Sequence, residues 1–204
     1  LLAKEKGYKV FVSDYGIIKN KYKDVLKHNE IEWEEGKHTS SKILNSDVVM
    51  KSPGISDNVS IVKQLILNRI PIVSEIEFAS QFTASNVIGI TGSNGKTTTT
   101  MMIYQILKNA RIKTIMAGNI GNSFAKEVHK NPDFFVLELS SFQLDGIKNF
   151  RPKIAVITNI TPDHLDRYDY NFDKYIKAKF RIIKNQKNQM FWFMMQTIMQ
   201  LINF

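Results

Sequence analysis

The stretch NVIGITGSNGKTTTT at residues 86–100 contains the residue types that bind a nucleotide phosphate. Its composition predicts a buried strand over 86–91, a glycine-rich turn over 92–95 and a helix that begins near Lys96. Such a loop directs successive backbone N–H groups to one point beside a helix N-terminus, where an anion binds well. The alternative is a glycine-rich strand–helix turn without a ligand.

The side chains of this loop predict an ATP site with a metal ion. Lys96 would add a mobile positive charge for the outer phosphates, and Thr97 would supply a hydroxyl for Mg²⁺. Ile90 stands where the common phosphate-loop pattern has glycine, so this is the shorter form G-x-x-G-K-T. The predicted nucleotide-binding residues are Gly92, Ser93, Asn94, Gly95, Lys96, Thr97 and Thr98.

Polar residues also follow three other predicted strands. Asn119 follows the strand 113–117, Glu138 lies near the end of 134–139, and His164 follows the strand 153–159. In an open parallel sheet, ligands gather beyond the carboxyl ends of the strands. We therefore expect these side chains to meet Lys96 and Thr97 at one edge of a sheet.

Glu138 and His164 are the candidate metal ligands of this edge. Glu138 lies in the apolar run FFVLEL, where burial of an unpaired carboxylate is costly. Mg²⁺ would compensate the charge, because it binds a few carboxylates together with water and phosphate oxygens. The alternative for Glu138 is a structural salt bridge. The alternative for His164 is an ordinary loop histidine with satisfied hydrogen bonds.

Lys179 is the least decided candidate. The stripe of apolar residues over 172–184 predicts a helix, and Lys179 flanks its apolar face. A partly desolvated lysine has a lowered pKa and a reactive neutral amine. From the residue pattern alone, however, a lysine that extends its amine to solvent is the favoured interpretation.

Composition narrows the class of protein. The net charge of +9 and the sequence pI of about 9.6 indicate an anionic partner, and a nucleotide satisfies this as well as nucleic acid does. The basic residues are scattered, and no nucleic-acid-binding motif is present, so we expect no nucleic-acid partner. The chain has no cysteine, and we see neither a signal peptide nor a membrane segment. We expect a cytoplasmic protein.

The order of predicted elements indicates two domains and an unusual tail. Alternating strands and helices over 1–82 predict a small parallel-sheet domain of Rossmann-like type that lacks its first strand. A second α/β domain should occupy 83–187. Residues 188–204 contain no charged side chain and do not continue the pattern, and we interpret them as a frameshifted or truncated tail.

The first domain offers two weaker candidate sites. Asp14 ends a strand where a Rossmann-like unit commonly contacts a ribose or base, although a helix N-cap or turn aspartate explains it equally well. Ser52, Pro53 and Gly54 form a tight turn whose N–H groups could hold an anion. A plain turn is the alternative.

Six segments together resemble the Mur ligases, and they occur in the order typical of that family. They cover nearly all of residues 1–187, and the pair LELSSFQL and DHLDRY is typical of the branch that adds D-glutamate. The segments are SPGI at 52–55, ITGSNGKTT at 90–98, GNIG at 118–121, LELSSFQL at 137–144, DHLDRY at 163–168 and AKFRI at 178–182.

The resemblance implies a fold and a reaction. The fold is α/β, with a Rossmann-like N-terminal domain followed by a phosphate-loop ATPase domain, both incomplete. The reaction joins D-glutamate to UDP-N-acetylmuramoyl-L-alanine through an acyl phosphate made with ATP, in the synthesis of peptidoglycan precursors. We expect a monomer, and we expect that these 204 residues alone are not a competent ligase.

The resemblance also implies residue roles. Lys96 would hold the γ-phosphate, while Thr97 and Glu138 would bind one Mg²⁺. His164 would bind a second Mg²⁺ together with Lys179, carbamylated by CO₂. The residues implied to line the substrate site are Asp14, Ser52, Pro53, Gly54, Asn119 and Ser141.

Two rival functions remain. One is another ligase of the same superfamily, which would add a different amino acid or extend folate. The other is a phosphate-loop module that binds a nucleotide without catalysis. Glu138, His164 and Lys179 argue against the second rival, because nucleotide binding alone does not need them.

Overall fold

The computed structural model describes residues 1–187 and 191–194, whose contacts divide into two units. The first unit is Leu1–Met50 with Ile55–Ile72, and the second is Lys51–Gly54 with the chain from Val73 onward. The 52–54 turn thus groups with the second unit. The predicted domain boundary between 82 and 83 stays a prediction.

The first unit alternates short strands and helices. Its elements are α1 (Leu2–Glu5), β1 (Phe11–Asp14), α2 (Asn20–His28), β2 (Glu32–Glu35), α3 (Ser40–Ile43), β3 (Val49–Met50), α4 (Ser60–Leu67) and the first residue of β4 (Ile72–Val73).

Parallel pairing and one apolar cluster hold this unit together. Strand β1 pairs in parallel with β2, with Phe11 opposite Glu32, and β3 and β4 form a separate two-stranded sheet. Helix α4 buries Ile61, Val62 and Leu65, which recur on one helical face, against Ile43 of α3. Burial of this face, more than helix propensity, stabilises so short a helix.

The second unit contains the larger sheet. Its elements are α5 (Glu75–Ser80), β5 (Asn86–Thr91), α6 (Lys96–Asn109), β6 (Thr114–Gly118), α7 (Phe124–Glu127), the 3₁₀ turn η1 (Val128–Lys130), β7 (Phe134–Glu138), α8 (Ser141–Asp145), β8 (Ile154–Ile157), the 3₁₀ turn η2 (Leu165–Tyr168), α9 (Phe172–Phe180), the 3₁₀ turn η3 (Arg181–Ile183) and β9 (Phe191–Met194).

The five strands of this sheet have the order β6-β7-β5-β8-β9, and each neighbouring pair is parallel. The chain leaves β5 for the outer strand β6 and returns through β7, while β8 lies on the other side of β5. This reversal creates a crevice at the carboxyl end of β5, where open α/β sheets bind ligands. The predicted α/β class with parallel strands is confirmed.

Part of the predicted tail continues the sheet. Phe191–Met194 form β9, whose register pairs Phe191 with Ile154 and Met194 with Ile157 of β8. The expectation that the β/α pattern stops before residue 188 is therefore wrong for these residues. Their aromatic and apolar composition suits a strand that packs in a parallel sheet. The rest of the proposed tail, 188–190 and 195–204, lies outside the described residues.

No helix within residues 1–187 and 191–194 has both the length and the apolar character that crossing a bilayer requires.

Candidate functional site

Two glycines shape the loop between β5 and α6. Gly92 has a φ of +150°, and a Cβ there would lie 1.9 Å from Thr158 Oγ1, so the position has no room for a side chain. Gly95 caps α6 with a φ of +78°, in the left-handed region that glycine adopts without strain. Helix α6 begins at Lys96, so the loop presents a helix N-terminus at the carboxyl end of the central strand β5.

The loop is fixed to the segment that follows β8. The Asn94 N–H donates to Asn159 Oδ1 at 2.9 Å, and the Thr158 hydroxyl donates to the Asn94 carbonyl at 2.6 Å. Ser93 is buried, and its hydroxyl donates to the Thr161 carbonyl at 2.8 Å. The predicted nucleotide-binding loop is thereby held from the β8 side of the crevice.

Lys96 lies over the loop itself. Its ammonium donates to the carbonyl oxygens of Gly92, at 2.9 Å, and of Ser93, at 2.8 Å. Because both partners are uncharged, they do not neutralise the positive charge of Lys96, which is therefore available to the phosphates of a nucleotide at this loop. Thr97 and Thr98 follow in the first turn of α6.

Three of the predicted site residues meet at Glu138: Glu138 itself, Thr97 and Asn119. The Glu138 side chain is buried, and it accepts hydrogen bonds from the Thr97 hydroxyl at 2.7 Å and from Asn119 Nδ2 at 2.7 Å. Within the described residues, Glu138 forms no ion pair, so the alternative of a structural salt bridge is not observed. A buried carboxylate with neutral donors only is a suitable ligand for a cation.

Gly118 is necessary for this arrangement. It has a φ of +104°, and a Cβ there would lie 2.4 Å from the Glu138 carbonyl oxygen. The same carbonyl accepts a hydrogen bond from the Asn119 N–H at 2.9 Å. The close approach of the two strand ends positions the Asn119 amide beside the Glu138 carboxylate.

Lys179 is buried on α9, with 2% of its surface exposed. Its ammonium donates to the Gly92 carbonyl at 2.7 Å and lies 4.6 Å from the centre of the Tyr175 ring. Burial, aided by the nearby charge of Lys96, lowers the pKa of Lys179 from 10.5 to about 7, against an opposing effect of Asp163. The preference for a solvent-directed lysine, drawn from the residue pattern alone, is wrong.

Tyr175 connects Lys179 to the loop a second time. Its hydroxyl lies 3.0 Å from the Ser93 hydroxyl, and burial raises the pKa of Tyr175. It occupies the position one helical turn before Lys179, so both side chains face the phosphate loop. Tyr175 was not predicted from the sequence, although its position four residues before Lys179 in a predicted helix was a signal for it.

His164 is placed differently from the other candidates. Its backbone has a φ of +49° at the start of η2, and its imidazole is largely exposed. Nε2 lies 3.5 Å from Asp163 Oδ2, and the ring lies 5.3 Å from that of Phe142. No group of three or more histidine, aspartate or glutamate side chains is assembled for a metal in the part of the chain that the structure describes.

The remaining predicted substrate residues lie on three elements. Ser141 is buried in α8, which starts with a capping box formed by Ser140 and Gln143. In the first unit, Asp14 Oδ1 accepts the Gly16 N–H at 2.8 Å, so Asp14 is a turn aspartate in this structure. The substrate role of Asp14 stays a prediction.

The turn at Ser52, Pro53 and Gly54 is held by a residue that the sequence argument did not assign. Arg167 donates to the Gly54 carbonyl at 2.8 Å and to the Pro53 carbonyl at 3.2 Å. Its location in the segment DHLDRY was the only available signal, since 113 positions separate it from Gly54 in the sequence.

Comparison with protein families identifies the family to which this chain belongs. The model of the Mur ligase middle domain matches residues 90–201, which include the phosphate loop, Glu138, His164 and Lys179. The chain belongs to the Mur ligase family. A second model, the MurD N-terminal domain, matches residues 1–61. The resemblance to Mur ligases is confirmed.

Curated Mur ligases are similar over most of this chain. UDP-N-acetylmuramoylalanine–D-glutamate ligase of Christiangramia forsetii is 61% identical over 190 residues, which are 93% of this chain and 43% of that protein. The ligase of the same name from Bacteroides thetaiotaomicron is 53% identical over 196 residues, 94% of this chain and 44% of that protein. The chain thus spans less than half the length of these relatives.

Solved Mur ligase structures share the fold. One is UDP-N-acetylmuramate:L-alanyl-gamma-D-glutamyl-meso-diaminopimelate ligase from Neisseria meningitides, with a TM-score of 0.62 at 19% identity. The match covers 97% of this chain and 68% of that ligase. MurF ligase from Thermotoga maritima, in complex with ADP, has a TM-score of 0.56 at 21% identity; the match covers 98% of this chain and 46% of MurF.

Proposed function

We propose that this chain carries the ATP-binding and substrate-binding residues of a ligase that adds D-glutamate to UDP-N-acetylmuramoyl-L-alanine. The observation that carries the proposal is the Gly92 carbonyl oxygen, which accepts hydrogen bonds from both Lys96 and Lys179. It connects a buried lysine, which a nucleotide-binding module does not need, to the phosphate loop. The names of the relatives support the choice of reaction.

The proposed reaction has two steps. A carboxylate oxygen of the alanyl group attacks the γ-phosphorus of ATP. The bond from the γ-phosphorus to the oxygen of the β-phosphate breaks, so ADP departs and the substrate becomes an acyl phosphate. The amine of D-glutamate then attacks the acyl carbon and loses a proton, and phosphate departs as the amide forms. No covalent enzyme intermediate is required, so positioning and charge neutralisation carry the catalysis.

The residues of the site have separate roles in these steps. Lys96 and the N–H groups of the 92–95 loop would hold the transferred phosphoryl group. Asp14, Ser52, Pro53, Gly54, Asn119 and Ser141 would contact the UDP-muramoyl substrate. We also propose that the whole ligase is a cytoplasmic monomer.

Magnesium fits the donor set at Glu138. The Glu138 carboxylate and the Thr97 hydroxyl are oxygen donors 2.7 Å apart beside the phosphate loop, and Mg²⁺ prefers such donors. These residues would hold one ion, and His164 with Lys179 would hold a second. When bound, Mg²⁺ neutralises charge on the phosphate oxygens.

Lys179 would take part as a carbamate. The ammonium would first lose one proton; the nitrogen of the neutral amine would then bond the carbon of CO₂ and release a second proton, so that a cationic side chain becomes an anionic carbamate. The lowered pKa of Lys179 supports this step, since the neutral amine is the form that reacts with CO₂.

A chimeric ligase tests the proposed function. The residues of this chain would replace the aligned segment in the Christiangramia forsetii relative, with the 204-residue chain assayed in parallel. We expect the chimera to form the D-glutamate amide from UDP-N-acetylmuramoyl-L-alanine, D-glutamate and ATP, and we expect no product from the 204-residue chain alone. Preference for a UDP-muramoyl dipeptide or dihydropteroate would instead favour a different ligase of the superfamily.

A further inference from the structure

Arg167 in η2 carries a positive charge that no carboxylate of the described chain neutralises. Its guanidinium donates to the carbonyl oxygens of Gly54, at 2.8 Å, and Pro53, at 3.2 Å. The guanidinium carbon lies 4.7 Å from the centre of the Phe142 ring. Within residues 1–187 and 191–194, Arg167 forms no ion pair. All its described partners are therefore uncharged.

These hydrogen bonds determine which way the peptide groups of the 52–54 turn face. The peptide bonds of the described chain are trans, so the N–H of each peptide points opposite to its carbonyl. The Gly54 N–H belongs to the peptide whose carbonyl, that of Pro53, faces Arg167. This N–H consequently points away from the guanidinium, on a turn whose residues Ser52 and Gly54 are exposed.

We propose that Arg167 is a positioning residue that holds the 52–54 turn ready for an anionic group of the substrate. The proposal rests on the proposed function, in which the 52–54 turn contacts the UDP-muramoyl substrate, whose diphosphate is anionic. Arg167 fixes the turn through its carbonyls, and its uncompensated charge makes the surroundings of the turn more favourable for a phosphate.

Arginine suits this position for a geometric reason. A planar guanidinium donates to two carbonyl oxygens at once while its face stacks on an aromatic ring, and the ammonium of lysine cannot do all of this. Phe142 in α8 supplies the ring, so α8 and the 52–54 turn are both bound to one side chain. Lysine should therefore restore the charge but not the orientation of the turn.

The first test measures the order of the turn in the full 204-residue chain. We would compare Arg167→Met and Arg167→Lys with Arg151→Met, which removes the same charge from an exposed arginine. In both Arg167 variants the ¹⁵N order parameter of Gly54 should fall from about 0.85 to below about 0.6, with α6 unaffected. An unchanged Gly54 order parameter would overturn the proposal.

The second test measures binding of UDP-N-acetylmuramoyl-L-alanine and, separately, of ATP to the same proteins by calorimetry. Both Arg167 variants should bind the UDP ligand at least about 10-fold more weakly, and ATP within about twofold of the unsubstituted chain. Equal affinity for the UDP ligand would overturn the proposal.

Failure of the proposed function would give a different result. An unsubstituted chain that binds ATP but not the UDP ligand would contradict both the proposed substrate and the assignment of its diphosphate to the turn. The order parameters would still decide whether Arg167 positions the turn.

Discussion

The Gly92 carbonyl oxygen is the point at which two lysines meet. Lys96 and Lys179 both donate to it, at 2.9 and 2.7 Å, so two ammonium groups share a single acceptor. Such proximity is unfavourable when both groups are charged, and burial adds to the cost for Lys179. The lowered pKa of Lys179, about 7, follows from these two effects.

The first prediction concerns stability and pH. Because the folded chain holds Lys179 with a pKa near 7, against 10.5 unperturbed, the unfolded chain binds more protons between these values. Stability should therefore rise with pH in this window, by up to about 1.4 kcal/mol per pH unit, whereas below pH 7 this contribution is constant. Urea unfolding from pH 7 to 9 in CO₂-free buffer measures the slope.

Lys179→Met should lack this slope, and Lys177→Met, which changes an exposed lysine of the same helix, should keep it. If the stabilities of the unsubstituted chain and Lys179→Met change in parallel with pH, Lys179 is charged throughout, and the inferred pKa is wrong.

The second prediction concerns the nucleotide. Lys96→Met keeps most of the aliphatic side chain but removes the charge at the loop, so affinity for ATP should fall at least about 10-fold. Lys108→Met removes a charge from the last turn of the same helix and should leave the affinity within about twofold. Titration of a fluorescent ATP analogue measures both, and equal affinities would exclude Lys96 from the phosphate site.

Single residues show the limit of sequence reasoning. The motif around Lys96 predicted its loop, because strand, glycines and lysine are consecutive and their geometry is local. The burial of Lys179 and the uncharged partners of Glu138 depend on side chains that are far apart in the sequence, such as Gly92 and Asn119. Residue patterns alone could not decide between their alternatives.

At the scale of elements, Glu77 of α5 organises the connection between α8 and β8. Its buried carboxylate accepts the backbone N–H groups of residues 148–150 at 2.8–3.0 Å. From η3, Arg181 donates to the carbonyls of Leu144 and Ile147, at 2.8 and 2.7 Å. Side chains from two helices thus satisfy the backbone of one connecting segment, which fixes where α8 ends and β8 begins.

The third prediction tests this connection. Glu77→Ala would leave the N–H groups of 148–150 without their acceptor and should destabilise the chain by about 2–4 kcal/mol. Glu77→Gln keeps one acceptor oxygen and should lose less, and the exposed Glu5→Ala should lose under about 0.5 kcal/mol. Urea unfolding measures all three, and a loss under 1 kcal/mol for Glu77→Ala would show that water replaces the carboxylate.

Elements were predictable where hydrophobic pattern and turn residues agree, as in β5, β7 and α6. The sequence pattern did not predict β9, because the run FWFM shows no alternation of polar and apolar residues and no turn residues beside it. Its strand conformation depends on pairing with β8. Arg167 was unassigned for a related reason, since its carbonyl partners become neighbours only after the chain folds.

At the scale of the molecule, family membership and site geometry support the same account. The Mur ligase middle domain model covers the two lysines that donate to the Gly92 carbonyl, Lys96 of α6 and Lys179 of α9, and it also covers Glu138 at the end of β7, which accepts from Thr97. The chain covers about 43% of the Christiangramia forsetii ligase, so the ligase reaction and its substrates remain a proposal for this protein.

Turnover of the chimeric ligase with Lys179→Met, compared with Lys177→Met, tests the central claim most directly. The claim is that the buried lysine at the phosphate loop serves catalysis and not only the fold. Production of the D-glutamate amide should fall at least about 100-fold in Lys179→Met and stay within about twofold in Lys177→Met. Equal turnover of the two variants would contradict the account and favour a site that only binds its nucleotide.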